Sequence, residues 1–417
     1  MIKGIIRNKI LIENFTSLSV LQVSNYIFPL ITFPYLVRVL GPEKFGLVNF
    51  ANAFVAYFSV LTDFGFNFSA TRDISINRND PEKVERIFNA VMVVKMCLFV
   101  LSLVIFSVVV VTIPFFKNDG MIYIYSFGFV LGNLLFPIWF FQGLEKMKYI
   151  ALLNVTAKAL VTLIIFLLIT KESDFELLVI LNSFGFLLVG ICSLFIVKYK
   201  FKIKFYLPAF HEIKYQVNES WQLFLSNVAI DLYTISNTFI LGLFTNNTIV
   251  GYFSAADKIR MAFQGIFSTI SQTVYPHVSY LFKQSISEGM SFIKKLFYLV
   301  GSAGFVVSLF IFILAPAIVK LVLGEGYFNS VLVLRIIAFL PFIIVLSNIT
   351  GIQTMLNLNM KKEFTGIIVT AGIINILSAF LLVPLCKEIG ISFSMLVTEI
   401  FVSGSMIIYL FKRKILN

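Results

Sequence analysis

Lys95, Lys158, Lys258 and Arg260 each fall inside a stretch of about twenty otherwise apolar residues, where a cation is costly and therefore purposeful. At about 1.5 Å of rise per helical residue, Lys258 and Arg260 lie roughly 15 Å along their stretch, and Lys95 and Lys158 about 12 Å along theirs. A cation at that depth either neutralises a carboxylate of its own protein or meets an anionic group passing through. Asp257 and Arg260 stand three residues apart, close enough to neutralise each other on one helix face, which leaves Lys258 without a local partner. Lys95 and Lys158 have no acidic neighbour in sequence, and Asp63 and Glu399 are carboxylates that either could reach from another helix.

Three polar stripes accompany these charges. Asn49, Asn52, Ser59, Asp63 and Asn67 are spaced so that a helix over 46 to 70 carries them close to one face. Asn227, Asp231, Thr234 and Thr238 repeat the pattern over 217 to 244, and Ser254, Asp257, Gln264, Ser268 and Ser271 over 249 to 281. Such stripes cannot face lipid cheaply. They serve either as helix-to-helix hydrogen bonds, worth about 0.6 to 2 kcal/mol each, or as the wall of a shared wet cavity. Their occurrence on matching helices of both halves favours the cavity, with Arg260, Lys258, Lys95 and Lys158 as anion ligands and Asn49, Asn52, Asp63, Asn227, Asp231, Asp257 and Gln264 as its polar lining.

No nucleophile, base and orienting group assemble anywhere, so no catalytic residue is assigned and no enzyme is expected. Three cysteines and two histidines sit at no metal-like spacing, and no Gly-rich phosphate loop is present, so neither a metal, a cofactor nor nucleotide hydrolysis is expected.

Long apolar elements must position these residues. Hydrophobic residues make up 59% of the chain, charged ones 13%, and the mean hydropathy is +0.94, which excludes a water-soluble fold. About twelve stretches are long enough to cross a bilayer as helices: 12 to 39, 46 to 70, 87 to 113, 121 to 141, 150 to 169, 176 to 197, 217 to 244, 249 to 281, 296 to 323, 331 to 357, 364 to 385 and 389 to 411. Of the 33 Lys and Arg residues, 22 lie on the termini and alternate connections and 7 on the other set, which places both termini in the cytoplasm. That loop bias, together with anionic lipid, accounts for most of the net charge of +12, so nucleic-acid binding is not expected. The basic connection near residue 205 divides six spans from six, giving an N-terminal lobe over 1–205 and a C-terminal lobe over 206–417. A shift of 205 residues sets Gly46, in Phe45-Gly46-Leu47, on Gly251, in Val250-Gly251-Tyr252. The expected fold is all-α: a polytopic membrane protein with two six-helix lobes, a parallel pseudo-two-fold repeat, around a central cavity. Gly128 and Gly132 form a GxxxG that reads as close helix contact.

Pro29-Leu30-Ile31-Thr32-Phe33-Pro34-Tyr35-Leu36-Val37-Arg38-Val39-Leu40-Gly41-Pro42-Glu43-Lys44-Phe45-Gly46-Leu47 resembles the opening of bacterial polysaccharide flippases of the Wzx type. Asp63-Phe64-Gly65-Phe66-Asn67, Ala70-Thr71-Arg72-Asp73-Ile74 and Trp139-Phe140-Phe141-Gln142-Gly143-Leu144-Glu145-Lys146-Met147 are similar to two further segments of that family. These motifs lie in the first 150 residues; the rest matches mainly in span number and layout. The resemblance implies the multidrug/oligosaccharidyl-lipid/polysaccharide exporter superfamily. It implies a bacterial inner-membrane protein that exports undecaprenyl-pyrophosphate-linked oligosaccharide, for O-antigen or capsule, by alternating access, with spans 1, 2, 7 and 8 lining the cavity. Stripe amides and hydroxyls would meet sugar hydroxyls, and the four cations the diphosphate. The partners implied are the lipid-linked oligosaccharide, membrane lipids, and a polymerase and chain-length regulator of the same pathway, with H+ or Na+ coupling through Asp63, Asp231 or Asp257. Two competing readings are a cation-coupled multidrug antiporter of the same superfamily, disfavoured by the Lys and Arg, and a polysaccharide polymerase or ligase, disfavoured by the lack of a long outward loop.

Overall fold

The computed structural model describes the backbone of residues 2–413 and 415, and the side chains of these except residues 2–12, 226, 227 and 229–234. Its helices in chain order are α1 (Ile2–Asp63), α2 (Phe66–Asn77), α3 (Pro81–Thr112), α4 (Pro114–Lys117), α5 (Gly120–Leu135), α6 (Ile138–Gly143) and α7 (Met147–Leu168). There follow α8 (Phe175–Tyr199), α9 (Phe210–Phe244), α10 (Asn247–Gln284), α11 (Ile286–Val322), α12 (Ser330–Ile337), α13 (Leu340–Ser347) and α14 (Lys361–Lys412), with a π-helical turn over Asn348–Met355. No β-strand occurs among the described residues. A chain built this way satisfies its backbone within each segment, as hydrocarbon demands. Eight helical stretches among the described residues are long and apolar enough to cross a bilayer. Several present rows of exposed apolar side chains, such as Val100, Val104, Val108 and Val111 on α3, whose natural solvent is lipid. The protein is an all-α, polytopic membrane protein, as its composition and span pattern indicate.

Local chemistry decides where the long helices break. The 62 residues of α1 would extend about 93 Å if straight, several times a hydrocarbon core. The break comes at Gly41, whose φ of 65° and ψ of 173° suit a residue without Cβ. The 52 residues of α14 break likewise at Lys387, with φ 51° and ψ −127°. Between α5 and α6, Pro137 withholds an N–H and turns Phe136 to an extended conformation.

Two expected continuous spans are interrupted. The span 46 to 70 stops at Asp63, because Phe64 (φ 44°) and Gly65 (φ 78°) are left-handed and start α2 in a new direction. Asn67 therefore lies beyond the break, off the face that carries Asp63. The span 331 to 357 is divided among α12, α13 and the π-helical turn, with Pro341 in the first turn of α13.

Contacts group the chain into two compact units, residues 1–40 with 51–228 and residues 41–50 with 229–417. In the first, α5 lies close along α8: a Cβ on Gly132 would come within 2.6 Å of Phe186, and one on Gly128 within 3.0 Å of Ser183, so the GxxxG is a contact face. Phe88, Trp139, Phe140 and Phe141 form a buried aromatic core near one end of this unit. In the second unit, the two glycines related by the 205-residue shift meet. A Cβ on Gly46 would collide with the Asn247 carbonyl, and one on Gly251 with the Pro42 carbonyl, so the backbones cross at a distance only glycine allows.

Candidate functional site

In the first unit, the three elements that meet at Asp63 build a polar triad inside apolar surroundings. Asp63 is the last residue of α1. Lys95, midway along α3, donates from Nζ to Asp63 Oδ1 at 3.0 Å, and Asn133 of α5 donates from Nδ2 to Oδ2 at 3.0 Å. The Lys95 side chain is 2% exposed and that of Asp63 28%. An ammonium so enclosed on an otherwise apolar helix requires its counter-charge, and the carboxylate has both oxygens occupied. Lys95 is thereby committed to holding the end of α1, immediately before the left-handed pair Phe64 and Gly65.

Lys158 of α7 meets different company. Its Nζ donates to Asn25 Oδ1 of α1, an uncharged partner. No ion pair joins it to a carboxylate among the described residues. It lines a cavity of about 180 Å³ with Phe28 and Thr32 of α1, Asn154 and Thr162 of α7, and Asn182 of α8. The walls are largely apolar with amides, hydroxyls and one ammonium set into them, a composition suited to an anionic or hydroxyl-bearing group with apolar surroundings.

In the second unit, Arg260 Nε donates to Asp257 Oδ1 at 2.7 Å, one turn apart on α10, with both side chains mostly enclosed. Lys258, between them in sequence, is exposed and has no ion pair among the described residues. Gln264, one turn beyond Arg260, keeps a buried carbonyl oxygen with no hydrogen-bond partner among the described residues. Asn49 turns its amide back to the Phe45 carbonyl at 2.7 Å. Asn52, in the first unit, is exposed. Asn227 and Asp231, the expected core of the stripe on α9, lie outside the described side chains.

The four mid-span cations thus sort into two neutralised ones, Lys95 and Arg260, and two, Lys158 and Lys258, that form no ion pair among the described residues. Sequence reasoning missed the uncharged partners: Asn133 and Asn25 are single polar residues in apolar stretches, and neither belongs to a stripe. It also missed a polar seam between α2 and the start of α9, where Ser69 meets Ser220 at 2.6 Å, Arg72 meets Glu219 at 2.6 Å, and Gln216 donates to Asp73 at 3.4 Å.

A model of the family described as polysaccharide biosynthesis protein matches residues 11–282. A protein of Escherichia coli strain K12 named "Putative O-antigen transporter" is 38% identical over 405 residues, covering 97% of this chain and 97% of that one. A protein of Shigella dysenteriae with the same name is 31% identical over 398 residues, covering 94% of this chain and 97% of that one. Among solved structures, the lipid II flippase MurJ in an inward closed conformation superposes with a TM-score of 0.70 over 97% of this chain and 87% of that chain, at 14% identity, a likeness of fold.

Proposed function

Because the chain belongs to the polysaccharide biosynthesis protein family, we propose that it is a flippase for lipid-linked oligosaccharide of O-antigen or capsule type. Its substrate is the undecaprenyl-pyrophosphate-linked repeat unit, moved from the cytoplasmic to the outer face of the bacterial inner membrane by alternating access, with both termini cytoplasmic. Its membrane-spanning helices number twelve, six in residues 1–205 and six in 206–417. The observation that carries this reading is similarity across nearly the whole length of two proteins named as O-antigen transporters.

The geometry supports a division of labour among these residues. The lipid tail stays in hydrocarbon, while the diphosphate and sugars need polar company. Lys158, with Asn154, Asn182, Thr32 and Thr162 around one cavity, offers a positive charge not already spent on a carboxylate. Lys258 offers a second. Lys95 and Arg260 reach the diphosphate only by exchanging Asp63 or Asp257, so their first role is structural. The outward movement of two negative charges from a negative interior is assisted by about 2.3 kcal/mol per charge per 100 mV, less whatever cationic side chains move with them.

The test uses purified protein in proteoliposomes carrying a fluorescent undecaprenyl-pyrophosphate oligosaccharide on one leaflet. The wild-type protein should move it to the other leaflet faster than empty vesicles do, and Lys158→Gln should slow that movement at least tenfold while Lys158→Arg retains most of it. Transfer no faster than in empty vesicles, with a repeat unit from the same cell, would reject the assignment.

A further inference from the structure

The basic strap around the connection of α8 to α9 gathers four lysines that meet no carboxylate among the described residues, unlike the basic residues flanking α2, α3 and α7. Arg72, Arg78, Lys83, Arg86 and Lys148 each pair with a carboxylate of the chain: Asp73 and Glu219, Glu145, Asp80, Glu82 and Glu13. Lys198, Lys200, Lys202 and Lys204 are all exposed, and none has an ion pair among the described residues. The carboxylates that could have served them are engaged otherwise. Glu85 accepts from the Lys204 backbone N–H at 3.1 Å, and Glu212 from that of Ala209 at 3.0 Å.

The strap is also held rigidly in place. Beyond the end of α8, Lys202 takes a left-handed φ of 57°, Ile203 is buried and Phe201 half-buried, while Lys198 and Lys200 lie over the rings of Tyr199 and Tyr149 with their ammonium groups still exposed. Phe201 sits against Phe140, Phe141 and Tyr149. Asn89 of α3 grips the strap from both sides of its amide, donating to the Lys204 carbonyl at 2.9 Å and accepting from the Tyr206 N–H at 3.1 Å. Directly after the lysines, Leu207 is 86% exposed and Phe210 78%, with Phe205 and Tyr206 partly exposed beside them.

From this juxtaposition we infer that the strap Lys198–Phe210 is a binding site for anionic phospholipid, the four exposed ammonium groups, none paired with a carboxylate among the described residues, meeting headgroup phosphates while Leu207 and Phe210 enter the acyl boundary. Charge complementarity and the apolar tip together select a lipid surface rather than a soluble anion, since a free phosphate gives Leu207 and Phe210 nothing to bury against. In the orientation proposed above, the strap lies on the cytoplasmic leaflet. The inference does not depend on what is transported, because lipid preference is measured without turnover.

The experiment titrates the full-length protein in neutral detergent with dioctanoyl-phosphatidylglycerol or dioctanoyl-phosphatidylcholine, following bound lipid by native mass spectrometry. The wild-type protein should favour the anionic lipid at least about tenfold, with a preference that weakens as salt rises. Replacing Lys198, Lys200, Lys202 and Lys204 together by Gln should abolish most of that preference, replacing them by Arg should keep it, and K361Q/K362Q should leave it intact. The inference is overturned if wild type shows no preference, if the Gln variant retains it, or if the Arg variant or K361Q/K362Q loses it equally. Displacement of phosphatidylglycerol by equimolar geranyl diphosphate would overturn it in another way, by making the strap a reader of the substrate's own headgroup.

Discussion

Lys95 and Lys158 are the same side chain, each about midway along an apolar helix of one unit, yet one is closed upon a carboxylate that an amide also holds while the other donates to an asparagine beside a cavity. A charge on a membrane helix is thus not informative by its depth alone; what separates framework from function is whether the protein has already supplied the counter-charge. The sharpest way to break this contrast is to remove Lys95. Lys95→Ala strands Asp63 and is expected to destabilise the protein by about 3–5 kcal/mol, seen as a lower unfolding midpoint in detergent. The double variant Lys95→Met, Asp63→Leu should recover most of that loss, because it removes both charges together. If Lys95→Ala folded as well as wild type and lost only transport, Lys95 would belong with Lys158 and the contrast would fail.

The next effect is mechanical. Gly132 precedes Asn133, the second ligand of Asp63, and a Cβ on it would stand 2.6 Å from Phe186. Gly132→Ala must therefore push α5 from α8 and draw Asn133 off the carboxylate, at about 1–3 kcal/mol of stability. A variant with unchanged melting and an unchanged Lys95 requirement would show that the amide is dispensable. Lys158→Gln reverses the pattern: stability within about 1 kcal/mol of wild type, because no buried charge is stranded, and a transport rate at least tenfold lower, about 1.4 kcal/mol of barrier. Parallel melting and flipping assays on this one variant separate the two roles.

Much of this was legible in the residues themselves. Apolar span length and loop charge marked an all-helical membrane protein, and the GxxxG at Gly128 and Gly132 marked a close helix contact without naming its partner, which is α8. Asp257 and Arg260 could be paired from their spacing, since one helical turn brings i and i+3 together whatever surrounds them. Lys95 and Asp63 are 32 residues apart, and only helix placement brings them into contact, so the sequence could offer Lys95 or Lys158 as the cation and Asp63 or Glu399 as the carboxylate without deciding. The break at Phe64 was illegible for a related reason: its apolar context continues smoothly through Asn67, while the left-handed turn is fixed by contacts of Phe64 with Trp221 and Phe224, far along the chain. Asn25 and Asn133 carry no periodic signal, and a lone amide becomes a ligand only when a charge arrives from another helix.

The smallest effect calibrates the largest, because α3 is served by a second carboxylate that sits in water. Asp80 caps its N-terminus, accepting from the Lys83 backbone N–H at 3.1 Å, and that hydrogen bond holds the Asp80 carboxyl below its ordinary value. A carboxyl depressed in the folded state stabilises it fully above the unfolded pKa and loses that contribution as the pH falls through the folded one. The melting-temperature gap between wild type and Asp80→Ala should therefore be small at pH 7 and close as the pH drops below about 4. Asp63 contrasts with it in kind: its partner Lys95 is enclosed and cannot turn to water for compensation, whereas the donors at the start of α3 can. A gap for Asp80→Ala as wide as that for Lys95→Ala, or one that stays constant down to pH 3, would mean that enclosure does not set the value of a counter-charge on α3, and the distinction between Lys95 and Lys158 would lose its physical ground.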